Sequence, residues 1–365
     1  MDIFQNTRPS TPIRRRFTTA PERPLTLLQA CPAYEPTPLH TADTLANTCG
    51  VGQLWLKDES RRMRLGSFKA LGGSFAVAQI IRDATQEALG AIIPPEDLTN
   101  KTVKTLASGL TFITASAGNH GLSVAAGAGI FGANAVIVLS ETVPDSFAGR
   151  LEALGATVQR VPGVYEDSVA HAIAEADKNG WRLLADGSWP GYIEPPAMVM
   201  EGYTVLAEEC RKSFADSGTW PTHVFVQAGV GGMAAAIAGH IRDHWAEQPS
   251  IIVVEPDAAP CLITSVRAGE LTHAAGPVSN MGRLDCKDAS LIAFEALQQD
   301  ADFFLTISDT EANAAVDHLS ATGIESSPSG VAGVAAMMAA NGAVMDALGL
   351  SRDSRCLAII SEGAA

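Results

Sequence analysis

Arg64-Leu65-Gly66-Ser67-Phe68-Lys69-Ala70-Leu71-Gly72-Gly73 places a lysine among glycines, small residues and apolar residues, with little local charge. An ammonium in such company loses hydration that its neighbours do not return. Two readings follow. Lys69 snorkels from a helix into water, or it is desolvated until part of its amine is neutral and can form a Schiff base with a carbonyl compound. From Ser74 to Ile81 the apolar spacing is helical, so the lysine lies just ahead of a helix.

Two further turns bear on the choice. Ser116-Ala117-Gly118-Asn119-His120-Gly121 sits between a strand at Phe112-Ile113-Thr114 and a helix from Leu122 to Phe131. Its glycines let a ligand approach the backbone, and the Asn119 amide both donates and accepts. His120 reads as a packing or orienting residue, and a polar turn that merely caps a helix fits the same residues. Gly229-Val230-Gly231-Gly232 joins a strand at Val224–Val226 to a helix from Met233 to Ile241. Free backbone N–H groups at a helix N-terminus suit a phosphate. No Gly-Lys-Ser/Thr follows, which excludes a P-loop. Gly229-x-Gly231-x-x-Ala234, with Glu255 at the end of a later strand, also fits the loose dinucleotide fingerprint, so a nicotinamide oxidoreductase is a distant alternative that rests on this fingerprint alone and explains neither Lys69 nor the asparagine turn. An ordinary glycine turn is the third reading. The last strand, Cys356–Ile360, ends in Ser361-Glu362-Gly363.

Between these turns the chain alternates strand and helix. Apolar strands are expected at Leu54–Lys57, Ala135–Leu139, Ala156–Val161, Ile251–Val254 and Phe303–Ile307, and a single helix over Val331–Leu348. Repeated β-α units with apolar strands predict an α/β fold with parallel-rich twisted sheets flanked by helices. A length of 365 residues suits two domains sharing a cleft. Residues 26–74 and 201–365 are assigned to a larger cofactor-binding domain and 75–200 to a smaller mobile one. Residues 1–25, rich in Pro, Thr and Arg, are expected as a flexible arm that orders on a neighbouring subunit, and 94–105 as a loop.

The net charge of −15 argues against nucleic acid or an anionic membrane surface as partner. Six cysteines are scattered, with no C-x-x-C pair and no zinc-like grouping, so free thiols in a reducing cytoplasm are expected and no metal. No apolar run approaches the ~20 residues of a membrane span.

Taken in order, the turns resemble the pyridoxal-phosphate enzymes of the tryptophan synthase β-like group, fold type II. Ser67-Phe68-Lys69 is similar to the family's cofactor-lysine motif, Ser116 to Gly121 to its asparagine loop, Gly229 to Met233 to its phosphate loop, and Ser361 to the residue facing the pyridine nitrogen. The likeness runs from about residue 34 to 363 and is greatest to the diaminopropionate ammonia-lyase branch. There it rests on Ser67 to Gly73, Asp186-Gly187-Ser188-Trp189-Pro190-Gly191-Tyr192, Gln227 to Met233 and Val254-Glu255-Pro256-Asp257. The resemblance implies a homodimeric lyase that eliminates the β-substituent of an amino acid, 2,3-diaminopropionate giving pyruvate and ammonia. A serine, threonine or 3-hydroxyaspartate dehydratase shares every cofactor residue; a non-catalytic small-molecule binding protein is the remaining alternative. The cofactor would be held by Lys69, Phe68, Asn119, Gly229, Val230, Gly231, Gly232, Met233 and Ser361. Ser116, Ala117 and Gly118 would bind the substrate carboxylate, with His120 beside them. Lys69 would take the Cα proton, and Asp186 would contact or help protonate the β-amino group. The branch typically carries an aspartate at the position of Ala117, to which the resemblance assigns proton removal from the D-substrate.

Overall fold

Strands that are apolar on both faces need cover on both sides, and helices supply it here. The computed structural model describes residues 1–364. Among them lie strands β1 (Ile3–Gln5), β2 (Leu39–Thr41), β3 (Gln53–Asp58), β4 (Thr111–Ala115), β5 (Asn134–Ser140) and β6 (Thr157–Val161). Then come β7 (Arg182–Leu183), β8 (His223–Gln227), β9 (Ser250–Pro256), β10 (Phe303–Ile307) and β11 (Arg355–Ile360). The larger sheet has the order β1-β10-β9-β8-β11-β3-β2 and the smaller β6-β5-β4-β7. Only the edge strands β1 and β2 pair antiparallel; the rest are parallel. The predicted α/β fold is therefore observed. Parallel strands send their carboxyl ends the same way, and ligands in such folds bind there. The turns after β3, β4, β7, β8 and β11 carry Lys69, Asn119, Asp186, the glycine loop and Ser361 respectively.

Three expectations differ from the observed elements. Residues 1–25 lie along this chain's own large sheet. Ile3, Phe4 and Gln5 pair with Leu305, Phe304 and Phe303, while Arg15 bonds Asp300 at 2.6 Å and Asp243 at 2.7 Å. A strand of three residues carries no readable alternation, and the carboxylates that hold the arm are remote in sequence. The 94–105 loop contains the start of a helix, Lys101–Ala107, which the Asn100 side chain caps by accepting from Val103 N–H at 2.9 Å. The helix expected over Val331–Leu348 is broken in two, Ala332–Ala339 and Gly342–Leu348, because Ala340 turns extended and Asn341 caps the second piece through Val344 N–H.

The turn that follows β3 is anchored by buried charge. Arg62 is fully buried and bonds Glu59 (2.6 and 2.7 Å), Glu209 (2.8 and 2.7 Å) and the Glu35 carbonyl (2.9 Å). Lys57 joins the cluster through Glu209 (2.5 Å) and the Thr37 carbonyl (2.7 Å). Two cations thus face two carboxylates with their hydrogen-bonding groups largely satisfied, the condition under which buried ions can offset their desolvation. The anchor holds Met63 and Arg64 at φ of 48° and 61°, a region that costs non-glycine residues about 1–3 kcal/mol each. Burial acts to raise the Glu209 carboxyl, but hydrogen bonds from Arg62 and the nearby Lys57 charge more than reverse this and leave its pKa below the ordinary value.

Arg62→Ala leaves two buried carboxylates to share the one cation of Lys57 and is expected to cost about 3–5 kcal/mol in urea unfolding, against about 0.5 kcal/mol or less for the exposed Lys101→Ala. Because Glu209 is shifted down, its contribution is complete above the unfolded carboxylate pKa and lost as pH falls through the folded one. Glu209→Gln should therefore flatten the acid limb of stability against pH; an unchanged limb would refute the assignment.

Candidate active site

Lys69 is the first residue of the helix Lys69–Leu89, and the chain just before it is joined to the far end of the sequence. Ser67 and Glu362 form an antiparallel bridge, Phe68 N–H donates to the Ser361 carbonyl at 3.1 Å, and Gly363 N–H donates to the Gly66 carbonyl at 3.0 Å. Gly72 and Gly73 let this helix pack closely on two others. A Cβ at Gly72 would run into the Tyr203 ring and come within 2.6 Å of the Val199 carbonyl, and one at Gly73 would lie 2.8 Å from Ser123 Cβ.

The Lys69 Nζ is paired with the Asp186 carboxylate and lies over the Phe68 and Tyr203 rings, 5.2 and 5.6 Å from their centroids. Burial pulls the Lys69 pKa down, yet the charge of Asp186 outweighs it and holds the ammonium well above the ordinary lysine value. Burial likewise pushes Asp186 up, and the Lys69 charge overrides it, keeping the carboxylate well below its usual range. The expectation of a partly neutral amine is corrected here: desolvation alone would neutralise Lys69, but a carboxylate remote in sequence returns the lost solvation.

Asp186 is held from both sides. Upstream, Tyr192 hydroxyl donates to the Leu183 carbonyl at 2.9 Å and accepts from Ala185 N–H at 3.0 Å, with the Trp189 ring stacked on Tyr192 at 4.3 Å. Downstream, Ser188 Oγ lies 2.7 Å from Ser290 Oγ and accepts from Ile292 N–H at 3.0 Å. The Asp186–Tyr192 stretch is thus a clamped strap.

The glycine loop faces the same pair. Gly231 has φ 99°, a conformation for which glycine is suited, and it precedes the helix Gly232–His244, whose N-terminus has no side-chain cap. A Cβ on Gly232 would sit 3.8 Å from the Tyr203 ring and 3.9 Å from the Asp186 carbonyl oxygen. Val230 is fixed through Ser290 N–H, which donates to its carbonyl at 2.9 Å, and Met233 is buried beneath the loop. Ser361 is buried, and its N–H donates to the Gly330 carbonyl at 3.0 Å.

The asparagine turn opens the helix Asn119–Phe131. Ser116 Oγ accepts from the N–H groups of Gly118 (3.2 Å) and Gly121 (3.1 Å). His120 is buried, burial lowers its pKa, and Nε2 bonds the Leu184 carbonyl at 2.8 Å, so this side chain already has a partner in the protein. Asn119 Nδ2 donates to the Glu362 carboxylate, which also accepts from Ser327 Oγ.

The structure thus gathers Lys69, Phe68, Asp186, the 229–233 loop, Asn119 and Ser361 around the ends of the parallel strands. Sequence reasoning missed Tyr203, whose ring the Lys69 amine faces, and Glu362, which Asn119 bonds. Glu362, an acid two residues beyond the apolar end of β11, offered a local signal; Tyr203 offered none. Cys286 also borders the glycine loop, its thiol pushed by burial to about 12.

A family model described as "Pyridoxal-phosphate dependent enzyme" matches residues 30–362. The chain is 32% identical over 348 residues to diaminopropionate ammonia-lyase of Escherichia coli K12, covering 92% of this chain and 86% of that protein. It is 29% identical over 342 residues to a probable D-serine dehydratase of Acidovorax, covering 87% and 74%. The crystal structure of the E. coli ammonia-lyase in complex with D-serine superposes with a TM-score of 0.88 at 30% identity, covering 99% of this chain and 93% of that one. The residues present fit pyridoxal phosphate: an amine for its carbonyl, and an uncapped glycine-lined helix start for its phosphate dianion.

Asp186→Asn removes the charge that holds Lys69 protonated and leaves burial to dominate. Lys69 in the cofactor-free variant should then react several-fold faster with an amine-acylating reagent at mildly alkaline pH. Peptide mass spectrometry reads the modified residue, and equal rates in both proteins would contradict the electrostatic account.

Proposed function

Because the chain belongs to the pyridoxal-phosphate dependent enzyme family, in its tryptophan synthase β-like fold, we propose that it eliminates the β-amino group of 2,3-diaminopropionate to give pyruvate and ammonia. The observation that carries the reading is the contact of Lys69 with Asp186 beside an uncapped glycine loop.

The bound cofactor supplies an electron sink for the substrate's Cα. The chain's residues do the rest. Gly229 to Gly232 would receive the phosphate, with Met233 packed below. Asn119 would donate toward the ring oxygen, Phe68 would pack beside the lysine, and Ser361 would give the ring nitrogen a neutral hydroxyl partner. A hydroxyl does not hold that nitrogen protonated as a carboxylate would, which favours rapid loss of a β-group over longer-lived carbanion chemistry. Lys69 removes the Cα proton. Backbone N–H groups at Ser116, Ala117 and Gly118 receive the carboxylate at a positive helix end, with His120 as their packed support. The proton taken up by Lys69 can pass to the Asp186 carboxylate in contact with it and on to the departing amine, so that the group leaves as ammonia. Hydroxyl leaving groups would use the same residues, which keeps the serine, threonine and hydroxyaspartate dehydratase reading as the second one; the likeness to the Acidovorax protein favours it.

The same reading extends to a homodimer in the cytoplasm, with residues 26–74 and 201–365 forming the larger domain and 75–200 a smaller, mobile one. Its support is the family resemblance, the two separate sheets and the six unpaired cysteines. Among the described residues no helix is long and apolar enough to cross a membrane.

Pyruvate release from L- and D-2,3-diaminopropionate and L-serine, measured in parallel with added pyridoxal phosphate, tests the proposal. Release from the L-diamino acid is expected, with Lys69→Ala and Asp186→Asn each lowering it by about 10²–10⁴-fold and Ser188→Ala far less. Ala117 offers no base on the D-side, so the D-isomer should be turned over only after Ala117→Asp. Release from L-serine alone would move the assignment to a dehydratase.

A further inference from the structure

We propose that Arg283 binds the α-carboxylate of the substrate together with the turn at Ser116–Asn119, an assignment that rests on the amino-acid lyase reading above. Its main chain is wedged into the site. Arg283 N–H donates to Ser329 Oγ at 3.1 Å, and its carbonyl oxygen lies 3.2 Å from where Gly229 would carry a Cβ. From there the side chain crosses the asparagine turn. A Cβ on Gly118 would meet Arg283 Cδ at 3.4 Å, Nε at 3.5 Å and Cζ at 3.8 Å.

The guanidinium is not spent on protein partners. Among the described residues it donates no hydrogen bond, and the nearest carboxylate oxygen, on Glu362, is 3.9 Å from Nε, beyond hydrogen-bond reach. Glu362 is already engaged by Asn119 and Ser327. Arg62 and Arg15, by contrast, are bonded directly to carboxylates. With its side chain 40% exposed, Arg283 stands at the cleft mouth, a planar fork of donors whose geometry matches a carboxylate.

The turn beneath it is equally open. Ser116 Oγ takes the Gly118 and Gly121 N–H groups, while the N–H groups of Ala117 and Asn119 find no acceptor among the described residues. An anion seated there would meet backbone donors on one side and the guanidinium on the other. In a chain of net charge −15, such a local cation gives the substrate's carboxylate a defined place to register. Arg283 then separates amino acids from plain amines, which the lysine and the cofactor residues cannot do.

Holoenzymes of the unmodified chain, Arg283→Gln and Arg283→Lys test this in two ways. For L-2,3-diaminopropionate, Arg283→Gln should raise KM about 10- to 100-fold while kcat changes by about 3-fold or less, since a contact made equally in ground and transition states acts on binding. Arg283→Lys should recover part of the loss. The second readout is the absorbance of the bound cofactor, titrated with L-alanine, which has no β-leaving group, and with ethylamine, which has no carboxylate. Arg283→Gln should weaken alanine by the same factor and leave ethylamine unchanged. Alanine affinity equal to that of the unmodified chain, or equal weakening of both ligands, would overturn the assignment. A wild-type chain that releases no pyruvate but binds alanine in an Arg283-dependent manner would support Arg283 while refuting diaminopropionate as substrate.

Discussion

The clasp between Gly66–Phe68 and Ser361–Gly363 is the constraint on which the site depends. It ties the lysine at the start of one helix to the end of β11, an interior strand of the larger sheet. Neither segment is regular structure. Each is therefore free to place side chains inward, and the backbone bonds between them keep that freedom from becoming disorder. Arg62, buried with its two carboxylates, supports the left-handed turn that brings the lysine to the clasp. The costly element is the turn, and the charge cluster under it is what makes it affordable.

Electrostatics then divide the labour within the cleft. Lys69 and Asp186 would each change protonation if buried alone, and each prevents the other from doing so. Such a pair is poised: a change in the bonding of one partner is transmitted at once to the proton affinity of the other. The strap from Asp186 to Tyr192, clamped by Tyr192 and Ser188, keeps the two groups in contact without a residue of their own elements between them.

What the sequence disclosed, and what it withheld, follows from the range of the forces involved. The parallel strands were legible because an apolar run between glycines needs no distant partner to be recognised. The asparagine turn and the glycine loop were legible for a similar reason, since left-handed φ and bare helix starts impose local composition. Lys69 stood out for its apolar company, but its charge state did not, because Asp186 lies 117 positions away. Glu362 meets Asn119 across 243 positions, and Arg283 reaches Gly118 only through the fold. The three-residue β1 is held by cross-sheet pairing, and the segment after it by Arg15, whose partner Asp300 is 285 positions distant, so the whole stretch read as loose. Short-range conformational demands were readable, and pairings between loops were not.

The position of β11 has a consequence for biosynthesis. It follows every other strand among the described residues, yet it lies between β8 and β3 inside the larger sheet. During translation β3 and β8 are made first and present open parallel edges toward a gap that only β11 can fill. Until it emerges, those edges are unpaired and apolar, a state prone to association with other chains. The smaller sheet, contiguous in sequence from β4 to β7, carries no such debt and can close on the ribosome. A nascent chain of this design therefore matures in halves, with its chemistry assembled last.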